Sequence, residues 1–488
     1  MEHVDDELDL QVPFLDVFIL TFNAGKNQIN APIFARHLYD AFLKNASTLP
    51  ELVVISLQEM APLAQAFIGS YMVNPYFQRY ESAVNIAAAK VAAQEGCRGR
   101  RRESPYTLVG ARNVGMTGIM LFARDPDGVK SLESTEVGFG AGDMANKGAV
   151  AFRIIYEKQK TDLSFASTEL TFVATHLAAL EWNLEKRNKN WENIVSGLVF
   201  KDPKKFAGNP STKPTPQAHD DSDIQESLLG TDSTRKDLRD ISVYKPGAHL
   251  FVAGDLNYRL SKRSPALDSV FPDMNPESPN YFTNFLHRDQ LTNEKNMGNT
   301  LHGLKEAPIK FPPTYKLAFS SKAKLQSEPC LAGDEDNDMD IVQWSWAPHR
   351  WPGWCDRVLY LDTPSWARTL FGSEQVRVTA YDAMAAVRSS DHRAVFLRAE
   401  VPMLSPEKME PPESVRREQL SPKWKQPISP RIMLPYPIDF QAWDHRAQVK
   451  KWESMIGWSM LVSQSKQGIM VFVTMFLIGL GAWWYRSR

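Results

Sequence analysis

Cysteine is scarce in this chain. Its three residues, Cys97, Cys330 and Cys355, are too few and too scattered in a 488-residue sequence for a disulfide framework or a zinc site, and they fit a reducing compartment. Cys355 stands beside Asp356, but a nucleophilic thiol needs an activating base, so a small buried residue is the expected role. Charge of one sign is also lacking. The 56 Lys and Arg against 57 Asp and Glu give a net charge of -1, so no global field draws the protein to nucleic acid and any anion site must be local. There is no internal repeat. The acidic start, Met1–Leu10, has no signal-peptide core, so the chain is expected to begin in the cytosol. Gly138, Gly140 and Gly142 follow no Walker pattern and read as turn residues.

What the chain does contain is a series of polar residues at the ends of apolar runs. Asp255 and Asn257 lie two apart directly after His249–Ala253. At a strand end such a pair points the same way and can hold a water between acid and amide. Asn23 ends Phe14–Phe22, Glu59 follows Leu52–Leu57, His176 follows Phe172–Thr175, Asp356 precedes Val358–Tyr360, and Asp391 with His392 closes the series. Acid, amide and imidazole groups at strand ends are what metal-assisted phosphoester hydrolysis requires: oxygen ligands for a hard cation, an oriented water, and a histidine braced by a carboxylate. Singly, Asn23 reads as a turn cap and His392 as a packing residue. The whole set is harder to assign to structure alone.

Six short motifs in order, Ala145-Asn-Lys-Gly148, Thr175-His-Leu-Ala-Ala179, Gly254-Asp-Leu-Asn-Tyr-Arg259, Phe311-Pro-Pro-Thr-Tyr-Lys316, Trp354-Cys-Asp-Arg357 and Ser390-Asp-His392, carry a resemblance. The chain resembles the inositol polyphosphate 5-phosphatases of the endonuclease/exonuclease/phosphatase superfamily over roughly residues 12 to 400. It departs from that pattern at Ala145 for glycine, Thr175 for serine, and Val252-Ala253 for an aromatic. None of these removes a ligand.

The resemblance implies Mg²⁺ held by Glu59 with Asn23 beside it, and an attacking water positioned by Asp255 and oriented with Asn257. It pairs His392 with Asp356, sets Asp391 near the metal or the water, and makes His176 a donor to the phosphoryl oxygens. Lys147, Tyr315, Lys316 and Arg357 would bind the substrate phosphates, with Tyr315 and Lys316 on the inositol 4-phosphate. The implied reaction is hydrolysis of the 5-phosphate of phosphatidylinositol 4,5-bisphosphate at a membrane surface. Two other readings stand beside it: an inactive phosphoinositide-binding tether, and another phosphodiesterase of the superfamily. No nucleic-acid partner and a monomer are expected.

The expected fold is an α/β sandwich: two mixed or antiparallel sheets face to face, helices outside, and the site in loops at one end. Glycine turns rather than crossover helices join Tyr106–Ile154, which disfavours a parallel doubly wound sheet. Ala31–Asn45 has apolar residues at helical spacing and should pack outside the strand Leu52–Leu57. Polar insertions at about 201–244 and 320–340 are expected to be disordered. Asp334–Asp340 lacks the glycine and closing glutamate of a calcium loop. Residues 401–450 read as a proline-rich linker, with Pro402–Pro437 an extended tether.

Gln467–Tyr485 has no charge and would rise roughly 28 Å as a helix, enough for a C-terminal transmembrane anchor. This predicts a tail-anchored protein facing the cytosol from the endoplasmic reticulum, with the mitochondrial outer membrane as the other candidate. Truncation after Lys451 should then free a catalytic unit with its site untouched.

Overall fold

The computed structural model describes residues 12–94, 104–161, 164–206, 236–319, 326–327, 342–371 and 374–487. Alternation of side chains builds it from the first strand. In β1 (Phe14–Asn23), Leu15, Val17 and Ile19 face one apolar cluster, whereas Phe18, Leu20 and Phe22 face another. Both faces are therefore covered, as the near-continuous apolar run requires.

Beside β1 lie β2 (Leu52–Gln58), β3 (Thr107–Val114), β4 (Thr117–Ala123), β13 (Arg377–Ala383) and β14 (Val395–Pro402), in the order β13-β14-β1-β2-β4-β3. The second sheet has the order β12-β8-β7-β6-β5, from β5 (Val129–Gly138), β6 (Gly148–Thr161), β7 (Ser164–His176), β8 (Ala248–Asp255) and β12 (Asp356–Leu361). Each sheet is mixed: β1–β2 and β7–β8 are parallel, and the other neighbours are antiparallel. Their inner faces meet in one core, where Val17, Ile19, Val54 and Leu121 pack with Phe152, Leu170, Phe172 and Phe251.

Helices cover the outer faces. α1 (Ala31–Phe42) starts with the Asn30 side chain accepting from the Ile33 amide and with Pro32 in its first turn. Its Phe34, Leu38 and Phe42 pack with Tyr80 and Val84 of Asn74–Gln94 on the first sheet. Leu184–Gly197 covers the second sheet through Trp191, Ile194 and Val195.

The sandwich expectation holds, but the membrane helix does not. The chain ends in a helix over Lys466–Arg486, and among the described residues no helix is long and apolar enough to cross a membrane. The expected anchor over 467–485, the tail-anchored topology and the endoplasmic-reticulum placement are overturned with it.

Pro402–Pro437 also departs from an extended tether, because it lies against the body. Leu404, Met409 and Ile432 pack with Trp366, and the buried Arg431 donates to the carbonyls of Pro246 and Ala248, 2.6 Å each. Of the two expected insertions, 207–235, 320–325 and 328–341 fall outside the described residues, and so do Asp334–Asp340. The flank of the first is folded, since Val199 and Ile241 bury together with Ile438.

Candidate active site

Sheet register gathers the site. His176 pairs with Asp255 where parallel β7 and β8 end, and Asp255 pairs with Asp356 where antiparallel β12 begins. In the other sheet Asn23 ends β1 beside Gln58 of parallel β2, immediately before Glu59, while antiparallel β14 begins at Val395 opposite Thr21. Strand ends of parallel partners and strand starts of antiparallel partners thus share one edge of the sandwich. Gly254 is required there, since a Cβ would come within 2.0 Å of the Thr175 carbonyl on β7.

Asp255 is the centre of this arrangement. Its carboxylate accepts from Asn23 Nδ2 at 3.0 Å and from the Asn257 amide at 3.1 Å, and it lies 3.2 Å from His176 Nε2 and 3.9 Å from His392 Nε2. Burial opposes its ionisation, but His176, His392 and Lys147 hold the carboxyl well below the usual range. Asn257 sits at φ 58°, turned by that amide contact, with its Nδ2 donating to the Leu177 carbonyl at 3.2 Å and its Oδ1 accepting from Arg259.

On one side His392 Nδ1 lies 2.8 Å from Asp356 Oδ2, which also accepts from Thr314 Oγ1 at 2.7 Å. Burial disfavours a charged ring, yet Asp356, Asp255 and Asp391 push His392 up to about 9. These carboxylates therefore favour the protonated imidazole. On the other side Lys147 Nζ meets His176 Nε2. Burial brings Lys147 down to about 8, and burial together with the Lys147 charge lowers His176. His176 Nδ1 is buried with no partner among the described residues.

Lys316 pairs with Asp391, and Asp391 Oδ1 lies 3.9 Å from His392 Nε2. Both groups remain partly accessible. The Tyr315 ring packs on His392 at a tilt of 38° with centroids 4.5 Å apart, and the Arg259 guanidinium covers the Tyr315 ring at 4.3 Å. Glu59 keeps an accessible carboxylate 3.4 Å from Lys26.

Of the expected residues, the structure brings Asn23, Lys147, His176, Asp255, Asn257, Tyr315, Lys316, Asp356, Asp391 and His392 into one connected set, with Glu59 beside Asn23. Arg357 is elsewhere in kind. It is fully buried, its Nη1 is 3.0–3.1 Å from both Asp289 oxygens, and its Nη2 is 2.6 Å from Glu306 Oε2. A guanidinium spent on two carboxylates is a structural ion pair, which corrects the substrate-binding expectation. Cys355 is buried and its thiol is pushed up by burial, which removes it from nucleophilic chemistry.

The sequence reading gave no role to Thr314, Ser390 or Arg259. Ser390 Oγ accepts from the His392 amide at 3.1 Å and donates to the Asn23 carbonyl, joining the two halves of the site. All three lie inside the short motifs Phe311–Lys316, Gly254–Arg259 and Ser390–His392, which is the signal the sequence carries for them. Two donor sets suit a cation. Glu59 offers a partly accessible carboxylate next to the buried Asn23, whose Oδ1 accepts from the Gly25 amide at 3.0 Å, whereas among the described residues Asp255, Asp356 and His392 form a buried group with donor atoms within 4.8 Å. The second set includes an imidazole tied to Asp356, whereas Mg²⁺ prefers oxygen donors and keeps several waters, so the accessible Glu59 carboxylate fits it better.

The two-sheet sandwich gathers acids, amides and histidines on one edge. Residues 20–398 match endonuclease/exonuclease/phosphatase family 2, and the chain belongs to that family. Two curated relatives are named as phosphatases of phosphoinositides or inositol phosphates. The polyphosphatidylinositol phosphatase INP53 of Saccharomyces cerevisiae is 26% identical over 71% of this chain and 23% of its own length. Inositol-1,4,5-trisphosphate 5-phosphatase 1 of Schizosaccharomyces pombe is 28% identical over 70% of this chain and 24% of its own. The chain thus spans about a quarter of the length of these relatives. The solved inositol polyphosphate 5-phosphatase domain of Spsynaptojanin, in complex with inositol (1,4)-bisphosphate and calcium ion, shares the fold. Its TM-score is 0.50 at 20% identity, covering 82% of this chain and 90% of that domain.

Proposed function

We propose that the chain is a Mg²⁺-dependent phosphoinositide 5-phosphatase that hydrolyses the 5-phosphate of phosphatidylinositol 4,5-bisphosphate. The observation that carries this reading is Asp255 held between two histidines, one protonated by its carboxylate neighbours and the other in contact with Lys147. That arrangement has an anion to orient a water and cations to receive developing phosphoryl charge. The name of the Schizosaccharomyces pombe relative, and the 5-phosphatase domain of Spsynaptojanin with its bound inositol (1,4)-bisphosphate, point to the 5-position.

In this mechanism Asp255 and Asn257 hold the attacking water in line with the 5-phosphate. The water oxygen bonds to phosphorus as the bond from phosphorus to the inositol oxygen breaks, the water's proton passes toward Asp255, and the departing inositol oxygen takes up a proton from solvent to leave as a hydroxyl. His392, held protonated by Asp356 and its neighbouring carboxylates, donates to the charged oxygens, and Lys147 with His176 flanks them from the other side. Lys316, carried beside Asp391 and Tyr315, takes the 4-phosphate. Asn23 and Glu59 would hold Mg²⁺, which supplies Lewis-acid stabilisation of phosphoryl charge when bound.

A binding tether without catalysis has no use for a buried Asp356–His392 pair, which weighs against that alternative. Inorganic phosphate release from a short-chain phosphatidylinositol 4,5-bisphosphate, with and without Mg²⁺, tests the reading. Release only with the metal is expected. Absence of release in both conditions, from folded protein, rejects it.

A further inference from the structure

Glu453 is an acid buried far from the site in sequence, on the helix Ala442–Gln464. Its Oε1 accepts the Ala145 amide at 2.6 Å, two residues before Lys147. Arg446, one to two turns earlier on the same helix, grips the carboxylate with Nη1 at 2.9 Å and Nη2 at 2.6 Å, and its Nε reaches Glu136 at 3.1 Å. A forked pair of this kind fixes the carboxylate in direction as well as place. His445 adds a contact of 2.8 Å to Asp143 on the same loop.

The Ala145 carbonyl accepts from the Met116 amide at 3.3 Å, and the Met116 carbonyl accepts from the Met60 amide at 3.1 Å, directly after Glu59. The same helix also presses on the segment that follows Glu59. Gly457 faces Leu63–Ile68 so closely that a Cβ would stand 2.8 Å from the Ala64 carbonyl and 2.9 Å from Ile68 Cγ1. One helix therefore contacts both chain segments that carry Lys147 and Glu59.

We propose that Glu453 is a positioning residue and that the helix Ala442–Gln464 is part of the catalytic unit, fixing the Lys147 loop against His176 and the Glu59 turn beside Asn23. This rests on the phosphatase reading. A helix that starts inside the expected linker 401–450 thereby sets the geometry of groups that touch substrate, where small displacements are costly in rate.

The test is steady-state hydrolysis of short-chain phosphatidylinositol 4,5-bisphosphate by full-length Glu453→Ala, Glu453→Gln and Ile432→Ala, with melting temperatures measured alongside. Ile432→Ala lies in the packed segment away from the site and controls for stability loss. Glu453→Ala should lose about tenfold in kcat with KM changed less than threefold, while Glu453→Gln, which keeps an acceptor for the Ala145 amide, should recover to within about threefold of wild type. These magnitudes follow the sensitivity of rate to positioning. If Glu453→Ala does not fold, Gly457→Ala takes its place and should lower kcat about threefold by lifting the helix from Leu63–Ile68.

Undiminished kcat in the folded variants, or an equal kcat loss in Ile432→Ala, overturns the proposal. Wild-type protein inert toward this substrate would reject the phosphatase reading itself. Active wild type with indifferent variants rejects the positioning role alone.

Discussion

At the scale of single residues, charge is allocated by burial. Asp255 is kept ionised and His392 protonated because each stands among groups of the opposite sign. Asp255→Asn or His392→Ala should lower kcat by about 10²–10⁴ while the melting temperature shows a folded protein, the range for loss of a positioned acid or base. The pH profile has a worked sign. His392 is raised to about 9 from an ordinary 6.5, so its protonated form, and the stability it adds, is fully present below 6.5 and is lost as pH rises through about 9. Activity should fall on that alkaline limb, and Asp356→Asn should move the limb toward lower pH. A limb that stays in place assigns it to another group. Among the basic residues, Lys316→Ala should weaken substrates with a 4-phosphate far more than those without one. Arg357→Met should instead cost stability, about 3–5 kcal/mol by leaving Asp289 and Glu306 buried without their partner. Denaturant unfolding separates the two cases.

At the scale of elements, the site depends on how closely β7 and β8 approach. Gly254→Ala would force the Thr175 carbonyl away at the register position next to His176 and Asp255, so a loss of about 1–3 kcal/mol is expected, with reduced activity. A Gly254→Ala protein as stable as wild type would show that the strands separate freely there. This is also the scale at which the sequence was most legible. Apolar runs ending in Asn23, Glu59, His176 and Asp255 were visible because a buried strand is apolar until the sheet edge, where polar groups regain access. Arg357 was misread because a motif shows that an arginine is placed, not whether its partners are phosphates or the distant Asp289 and Glu306. Pro402–Pro437 was misread for a related reason. Its prolines mark extended backbone, but the contacts of Arg431 with Pro246 and Ala248 are set by residues far away in sequence.

At the scale of the whole molecule, the question is where the catalytic unit ends. Motifs alone place the boundary near residue 400, and on that basis a cut after Lys451 leaves the site intact. The packing argues otherwise, because Lys451 precedes Glu453 and Gly457 and the cut would remove both from Ala145 and Leu63–Ile68. It would also leave Arg446 facing Glu136 without its second carboxylate. Two truncations therefore differ in outcome. A chain ending at Ser465 keeps the contacts of the helix Ala442–Gln464 with Ala145, Glu136 and Leu63–Ile68 and should hydrolyse a dispersed short-chain substrate at close to the full-length rate. A chain ending at Lys451 should be slower by about tenfold or more, since it loses the same amide contact as Glu453→Ala and the Gly457 packing as well. Equal rates for the two truncations would return the boundary to residue 400 and reduce the helix to a passive attachment.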